Sequence, residues 1–197
     1  MAITSYSTLK TAIAAWAHRS DLTDVIDDFI DITESHLNRE LLVSQQEVRA
    51  TTAASTEYLA LPSDLLAIRN IQLNTNPVVE LVYVTPMEMD RLAELNQETS
   101  RYTIVGDEIQ LNATSDSSIE IAYYAKIAAL SDSNTSNWLL EAHPEAYLYG
   151  SLAEAFKYSM DDEQAAKYAG MFAETIAMIK RLDRERKSGQ SMYVRVA

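Results

Sequence analysis

The sequence predicts an α+β fold in which an antiparallel helical bundle carries an inserted β-rich region. Helix-patterned segments open and close the chain of 197 residues. The segments between them instead alternate apolar and polar residues with a period of two, which is typical of strands. An entirely polar stretch at residues 131–137 then separates the β-rich region from the last helices. The opening and closing helices are therefore expected to pack together in space.

These observations divide the chain into three parts. The predicted helical bundle domain comprises residues 1–45 and 132–187. The β-rich insertion comprises residues 46–131, and residues 188–197 form a C-terminal tail.

Two helices are expected before the insertion. Apolar residues recur at helical spacing after Ser7, which is suited to cap a first helix over residues 7–18. The second helix begins after Thr23 or Asp24, either of which can act as its cap. Its apolar stripe predicts a buried face made of Ile26, Phe29, Ile30, Thr33, Leu37 and Leu41.

The insertion is expected to form an antiparallel sheet. Its strand-like segments are residues 47–53, 57–61, 67–73, 78–84, 102–105, 108–111 and 118–127. A turn cluster at residues 74–77 predicts a hairpin between its two neighbours, and Gly106 with Asp107 predicts another. Pro86 suits the first position of a short helix over residues 86–96.

Two longer helices follow the polar linker. Pro144 opens the first, over residues 144–160, and an acidic turn separates it from a final helix over residues 162–187. The predicted inward stripe of the final helix is Tyr168, Met171, Phe172, Thr175, Ile176, Ile179 and Leu182. The charged residues beyond Leu182 are expected to project from the body as a solvated extension.

Composition argues against several classes of function. The chain has no cysteine, so it has no disulfide and no thiolate metal site. His18, His36 and His143 are not spaced as metal ligands, and no phosphate-binding loop is present, so neither a cofactor nor an enzyme is expected. The first 17 residues lack the features of a signal peptide, and no run of about 18 apolar residues predicts a membrane span.

Charge is unevenly distributed along the chain. The net charge is −13, yet residues 180–197 contain six cations and two anions, which leaves −17 for residues 1–179. The cations either complement the negative end of a helix dipole or form a docking element for an acidic partner. The acidic body argues against tight binding of DNA, which needs a stripe of lysine or arginine.

The C-terminal tail has a short alternating segment with apolar Tyr193, Val194 and Val196. Such a segment is either a disordered terminus or a strand that becomes ordered along a partner.

Several stretches along the chain together resemble the bacteriophage head-to-tail adaptor, or connector, proteins, and specifically the tail tubular protein A-like family of short-tailed phages. They are MAITSYSTLK at residues 1–10, AWAHRSDL at 15–22, LNREL at 37–41, YLALPSD at 58–64, YTIVG at 102–106, YYAKIAALS at 123–131, NWLL at 137–140 and YLYG at 147–150. The resemblance covers almost the whole chain.

The resemblance implies a structural virion protein of the head-tail junction, synthesised in the host bacterial cytoplasm. Its subunits would form a ring, typically of twelve, under the portal protein. The ring would join the portal to the downstream tail (nozzle) protein, and DNA would pass through its bore without specific binding. No membrane is involved.

The resemblance also suggests which residues dock on the portal. They are Arg181, Arg184, Arg186 and Lys187 on the final helix, and Met192, Tyr193, Val194 and Arg195 in the tail. An alternative reading of the same basic end is a non-enzymatic regulatory or scaffolding module that binds an acidic or helical partner. Such a module would be monomeric or dimeric rather than a ring.

Overall fold

The computed structural model describes residues 2–19, 21–95, 100–112 and 117–188. They form two compact units. The first contains the described residues of Met1–Gln45 and Ile127–Ala197, and the second contains those of Gln46–Lys126. The combination of helices with largely antiparallel strands confirms the predicted α+β fold class.

In chain order the helices are α1 (Tyr6–Ala17), α2 (Ile26–Glu40), α3 (Pro86–Glu94), α4 (Trp138–Ala142), α5 (Pro144–Tyr158) and α6 (Asp162–Lys187). The strands are β1 (Glu47–Ala53), β2 (Tyr58–Ala60), β3 (Leu65–Leu73), β4 (Val79–Glu80), β5 (Val82–Tyr83), β6 (Arg101–Val105), β7 (Glu108–Leu111) and β8 (Ser118–Ala125). None of the helices in the described ranges is long and apolar enough to cross a membrane.

The first helix begins one residue earlier than its apolar pattern predicts. Its cap is Ser5, whose hydroxyl accepts the backbone N–H of Thr8 at 3.3 Å. The Thr8 hydroxyl in turn accepts the backbone N–H of Ser5 at 2.9 Å. This reciprocal pair of hydrogen bonds explains why Ser5, and not the predicted Ser7, caps the helix.

The buried face predicted for α2 is confirmed. Ile26, Phe29, Ile30, Thr33, Leu37 and Leu41 are all buried. The residue at the N-cap position is Val25, which has no capping hydrogen bond, so the prediction of Thr23 or Asp24 as the cap is wrong. Asp27 and Asp28 lie in the first turn instead, where their negative charges interact favourably with the positive end of the helix dipole.

Within the first unit, α5 packs against α1, α2, α4 and α6. Its Tyr147 side chain is fully buried. At Gly150 the neighbouring helix comes so close that an added Cβ would lie 2.4 Å from Cγ2 of Thr33. Glycine is therefore required for the observed approach of α5 to α2.

The segment that follows β8 is held on α2 by two side chains one turn apart. Side-chain Oδ1 of Asn38 accepts the backbone N–H of Ile127 at 2.8 Å, and Oε1 of Glu34 accepts the backbone N–H of Leu130 at 2.8 Å. The hydroxyl of Tyr147 also donates to Glu34, at 3.3 Å. Burial raises the pKa of the Glu34 carboxyl, although these hydrogen bonds oppose the shift.

The second unit contains two four-stranded sheets, with strand orders β1-β8-β3-β4 and β2-β7-β6-β5. The predicted alternation of β8 is confirmed, since Ile119, Ile121 and Tyr123 are buried and their neighbours are less so. These side chains share one core with residues of the other sheet, among them Leu59 and Ile109.

The predicted strand over residues 78–84 is divided at Leu81. The Leu81 side chain is buried, and the backbone N–H of Leu81 donates to the Ile71 carbonyl at 2.9 Å. The residues before it pair with β3 as the predicted hairpin, whereas β5 pairs with β6 in the other sheet, in parallel orientation. The prediction of antiparallel pairing throughout is wrong at this one short pair.

Candidate partner-binding surface

The predicted docking residues on the last turns of α6 are all exposed. Arg181, Arg184, Arg186 and Lys187 follow one another within two turns of the helix. Arg184 and Lys187 line a groove that α6 forms with the end of α2, but Arg181 and Arg186 do not. The structure thus divides these four predicted docking cations into two that line the groove and two that lie outside it.

This first groove has a volume of about 490 Å³. The α6 side contributes Lys180, Asp183, Arg184 and Lys187, and the other side contributes Glu40, Leu42 and Val43. Leu42 is 47% exposed at its edge. The groove therefore combines apolar surface with cations, a combination suited to a protein segment that carries both apolar and acidic side chains.

Asp183 fixes the end of α6. It is 7% exposed, and its Oδ1 accepts the backbone N–H of Ser44 at 2.9 Å together with the Ser44 hydroxyl. Its other oxygen pairs with Nζ of Lys187 at 3.0 Å. Burial alone would raise the pKa of Asp183, but the hydrogen bonds from Ser44 and the charge of Lys187 lower it. The carboxylate is therefore ionised, and both of its oxygens have partners.

The expectation that α6 projects freely beyond Leu182 is wrong at its start. Leu182 itself is 43% exposed, and Asp183 takes the inward position instead. The reason is the Ser44 contact, because it satisfies a carboxylate that would otherwise be costly to bury.

A second groove lies further back along the same two helices. It has a volume of about 370 Å³ and is lined by His36, Glu40, Phe172, Ala173, Ile176, Ala177 and Lys180. Nζ of Lys180 pairs with Oε2 of Glu40 at 2.8 Å, and both residues also line the first groove. Hydrogen bonding to Lys180 lowers the pKa of Glu40.

Sequence reasoning missed Asp183, Ser44 and the Lys180 to Glu40 pair. Ser44 lies 139 residues from Asp183, so no local pattern could reveal that contact. A signal for Asp183 itself was present, because it follows Ile176 and Ile179 at spacings of seven and four on the inward face of the helix.

The other predicted docking residues, Met192, Tyr193, Val194 and Arg195, lie outside the described residues. Within residues 2–19, 21–95, 100–112 and 117–188, no group of three or more histidine, aspartate or glutamate side chains is placed to hold a metal ion.

The model of a family described as SU10 adaptor protein matches residues 4–196. No curated protein matches the chain. The matched range includes all the described residues of both units except residues 2 and 3.

Proposed function

Because the chain belongs to the SU10 adaptor protein family, we propose that it forms a ring under the portal and connects the portal to the tail. The family is one of structural phage adaptors, so the chain is a structural protein of the bacteriophage virion and not a member of an enzyme class. The observation that carries the proposal is the extent of the match, which covers residues 4–196.

Its charge supports a bore that conducts DNA without specific binding. The chain has a net charge of −13, and the exposed side of α2 and the segment before it carry Asp24, Asp27, Asp28 and Asp31. An acidic wall repels phosphate groups, so DNA moving through the ring finds few sites to adhere to.

The basic end of α6 supports docking on an acidic surface of the portal. In this proposal Arg181, Arg184, Arg186 and Lys187 contact the portal together with tail residues 192–195. The helical bundle domain, residues 1–45 and 132–187, carries this contact, with residues 188–197 as a docking tail. The β-rich insertion, residues 46–131, meets the downstream nozzle protein.

We also propose the copy number, the location and the type of this ring. The ring has twelve copies, it lies at the head-tail junction of the virion, and its type is that of the tail tubular protein A-like adaptors. Synthesis takes place in the cytoplasm of the bacterial host.

Electron microscopy of the protein mixed with the portal ring of the same phage tests the function. The expected result is a second ring stacked on the portal, and its symmetry gives the copy number. The protein alone serves as the control. No association with the portal would contradict the proposal and would favour a scaffolding or regulatory module.

A further inference from the structure

The last residue of α5 and the turn that follows it present two large apolar side chains to solvent. Tyr158 is 60% exposed and Met160 is 89% exposed. Three exposed acids follow at once, Asp161, Asp162 and Glu163. We name residues 158–163 the acidic knob, because they combine an apolar tip with three carboxylates and no cation.

Met160 has a left-handed backbone conformation, with φ of 57°. Its N–H donates to the Lys157 carbonyl and the N–H of Asp161 donates to the Phe156 carbonyl, both at 3.0 Å. These are the hydrogen bonds of a Schellman motif, in which this position is usually glycine. Glycine would end the helix with less strain, so ending α5 does not explain an exposed methionine here.

The knob is also braced from behind. The ring of Tyr158 packs on Phe29 with centroids 5.6 Å apart. The Ser159 hydroxyl accepts a hydrogen bond from Nη1 of Arg19 at 3.2 Å. A braced apolar projection requires little additional ordering on binding, which favours its use as an anchor in an interface.

A recess of suitable character exists on the same unit, in the second groove between α2 and α6. Phe172 and Ile176 contribute its large apolar side chains, whereas Ala173 and Ala177 leave room beside them. Lys180 lies at the end nearer the helix C-terminus. Counted from Lys180 onward, residues 180–187 carry five cations and two anions.

We propose that the acidic knob of one copy seats in this second groove of the next copy. This contact rests on the proposed ring, whose subunit interface it specifies. Met160 would enter between the alanines, and the three carboxylates would lie toward the cationic half of α6. A knob cannot fill the groove of its own chain, because residues 160 and 173 are separated by roughly 18 Å of rigid helix.

The contact has the geometry that a ring requires. Knob and groove are different surfaces of one chain, so each copy uses its knob toward one neighbour and its groove toward the other. Such heterologous contacts close into a ring when the rotation between copies permits it.

Disulfide trapping tests the contact cleanly, since the chain contains no cysteine. The variant Met160→Cys/Ala173→Cys is assembled on portal rings, oxidised and run on a non-reducing gel. The expected product is a ladder of multimers that extends beyond dimers. The matched control is Met160→Cys/Met178→Cys, because Met178 is 38% exposed but lies about 140° around α6 from Ala173. The control should give no ladder.

Failure of this contact is distinguishable from failure of the proposed function. A stacked ring without a ladder in the test variant, or with an equal ladder in the control, overturns the knob-in-groove contact and leaves the adaptor function intact. No stacked ring with the wild-type protein overturns the function and the contact together.

Substitution of the anchor gives a second test. Met160→Gly is expected to raise the protein concentration for half-maximal ring formation at least about tenfold, because the buried apolar side chain is lost. The same change relieves the left-handed backbone, so the melting temperature should not fall. Unchanged ring formation by this folded variant would contradict the contact.

Discussion

Two helical glycines differ sharply in what surrounds them. An added Cβ at Gly150 would lie 2.4 Å from Cγ2 of Thr33 and 3.1 Å from the Phe172 ring, whereas at Gly170 it would meet nothing within 4 Å. Gly150→Ala is therefore expected to lower the free energy of unfolding by about 1–3 kcal/mol, since α2 and α5 must separate. Gly170→Ala should raise it by up to about 1 kcal/mol, because alanine favours helix.

Urea denaturation followed by circular dichroism measures both changes. The two variants differ from wild type by the same methyl group, so helix propensity alone predicts the same sign for both. Stabilisation by Gly150→Ala would show that α5 can shift away from Thr33 at little cost.

Asp183 stabilises the fold in its charged form. Its pKa is lowered in the folded protein, so its contribution is present above the ordinary aspartate pKa of about 3.9 and is lost as the pH falls toward the folded value. Asp183→Asn is expected to lower the free energy of unfolding at pH 7 by about 1–3 kcal/mol, because two hydrogen bonds from Ser44 and the Lys187 pair are weakened or lost.

Denaturation curves at pH 7 and at about pH 3.5 check this expectation. The difference between Asp183→Asn and wild type should shrink at the lower pH. Glu174→Gln is the control, since that residue is exposed in the middle of the same helix and should change stability little at either pH. A deficit of Asp183→Asn that is the same at both pH values would indicate lost packing rather than lost charge.

At the scale of elements, the sequence predicts what local periodicity controls. The bounds of α6 and β1 agree with their patterns, and the alternation of β8 does too. The predictions fail where a distant residue decides. Leu182 is displaced from the inward face because Ser44 accommodates Asp183, and one predicted strand divides because Leu81 enters the core beside β3.

The short helix α4 was also missed, and one side chain accounts for its start. Side-chain Oδ1 of Asn137 accepts the backbone N–H of Leu140 at 2.9 Å. Its side-chain Nδ2 donates to the Ala128 carbonyl and the Tyr147 hydroxyl, each at 2.8 Å. Asn137→Ala should lower the free energy of unfolding by about 2–3 kcal/mol, since a cap and two further hydrogen bonds are lost.

Ser5→Ala is the matched control for this cap. Ser5 caps α1 in the same unit but is only partly buried, so its loss should cost about 1 kcal/mol. Equal effects of the two substitutions in urea denaturation would mean that the buried amide contacts of Asn137 add nothing to its capping role.

At the scale of the whole molecule, the basic end of α6 was predictable because charge is a local property of the sequence. The division of the predicted docking cations between the first groove and the outer side was not predictable, since this groove exists only where α6 meets the end of α2. Arg184 and Lys187 therefore contribute to a shaped recess, whereas Arg181 and Arg186 can act on a partner only through charge and surface contact.

Charge reversal on this outer side tests whether the basic end docks on the portal. Arg186→Glu is expected to weaken attachment to portal rings, and the effect should be large even though one exposed ion pair contributes only about 0.2–1 kcal/mol. The reason is multivalency, because every copy in the ring loses the same contact. Arg91→Glu is the matched control: it also replaces an arginine in the last turn of a helix and changes the net charge equally, but it lies on α3.

Attachment is measured by co-sedimentation with portal rings across a salt series. Salt should reduce wild-type attachment as the screening length falls from about 10 Å at 0.1 M to about 3 Å at 1 M, and it should narrow the gap between wild type and Arg186→Glu. If Arg91→Glu weakened attachment as much as Arg186→Glu, total charge rather than the basic end of α6 would govern docking.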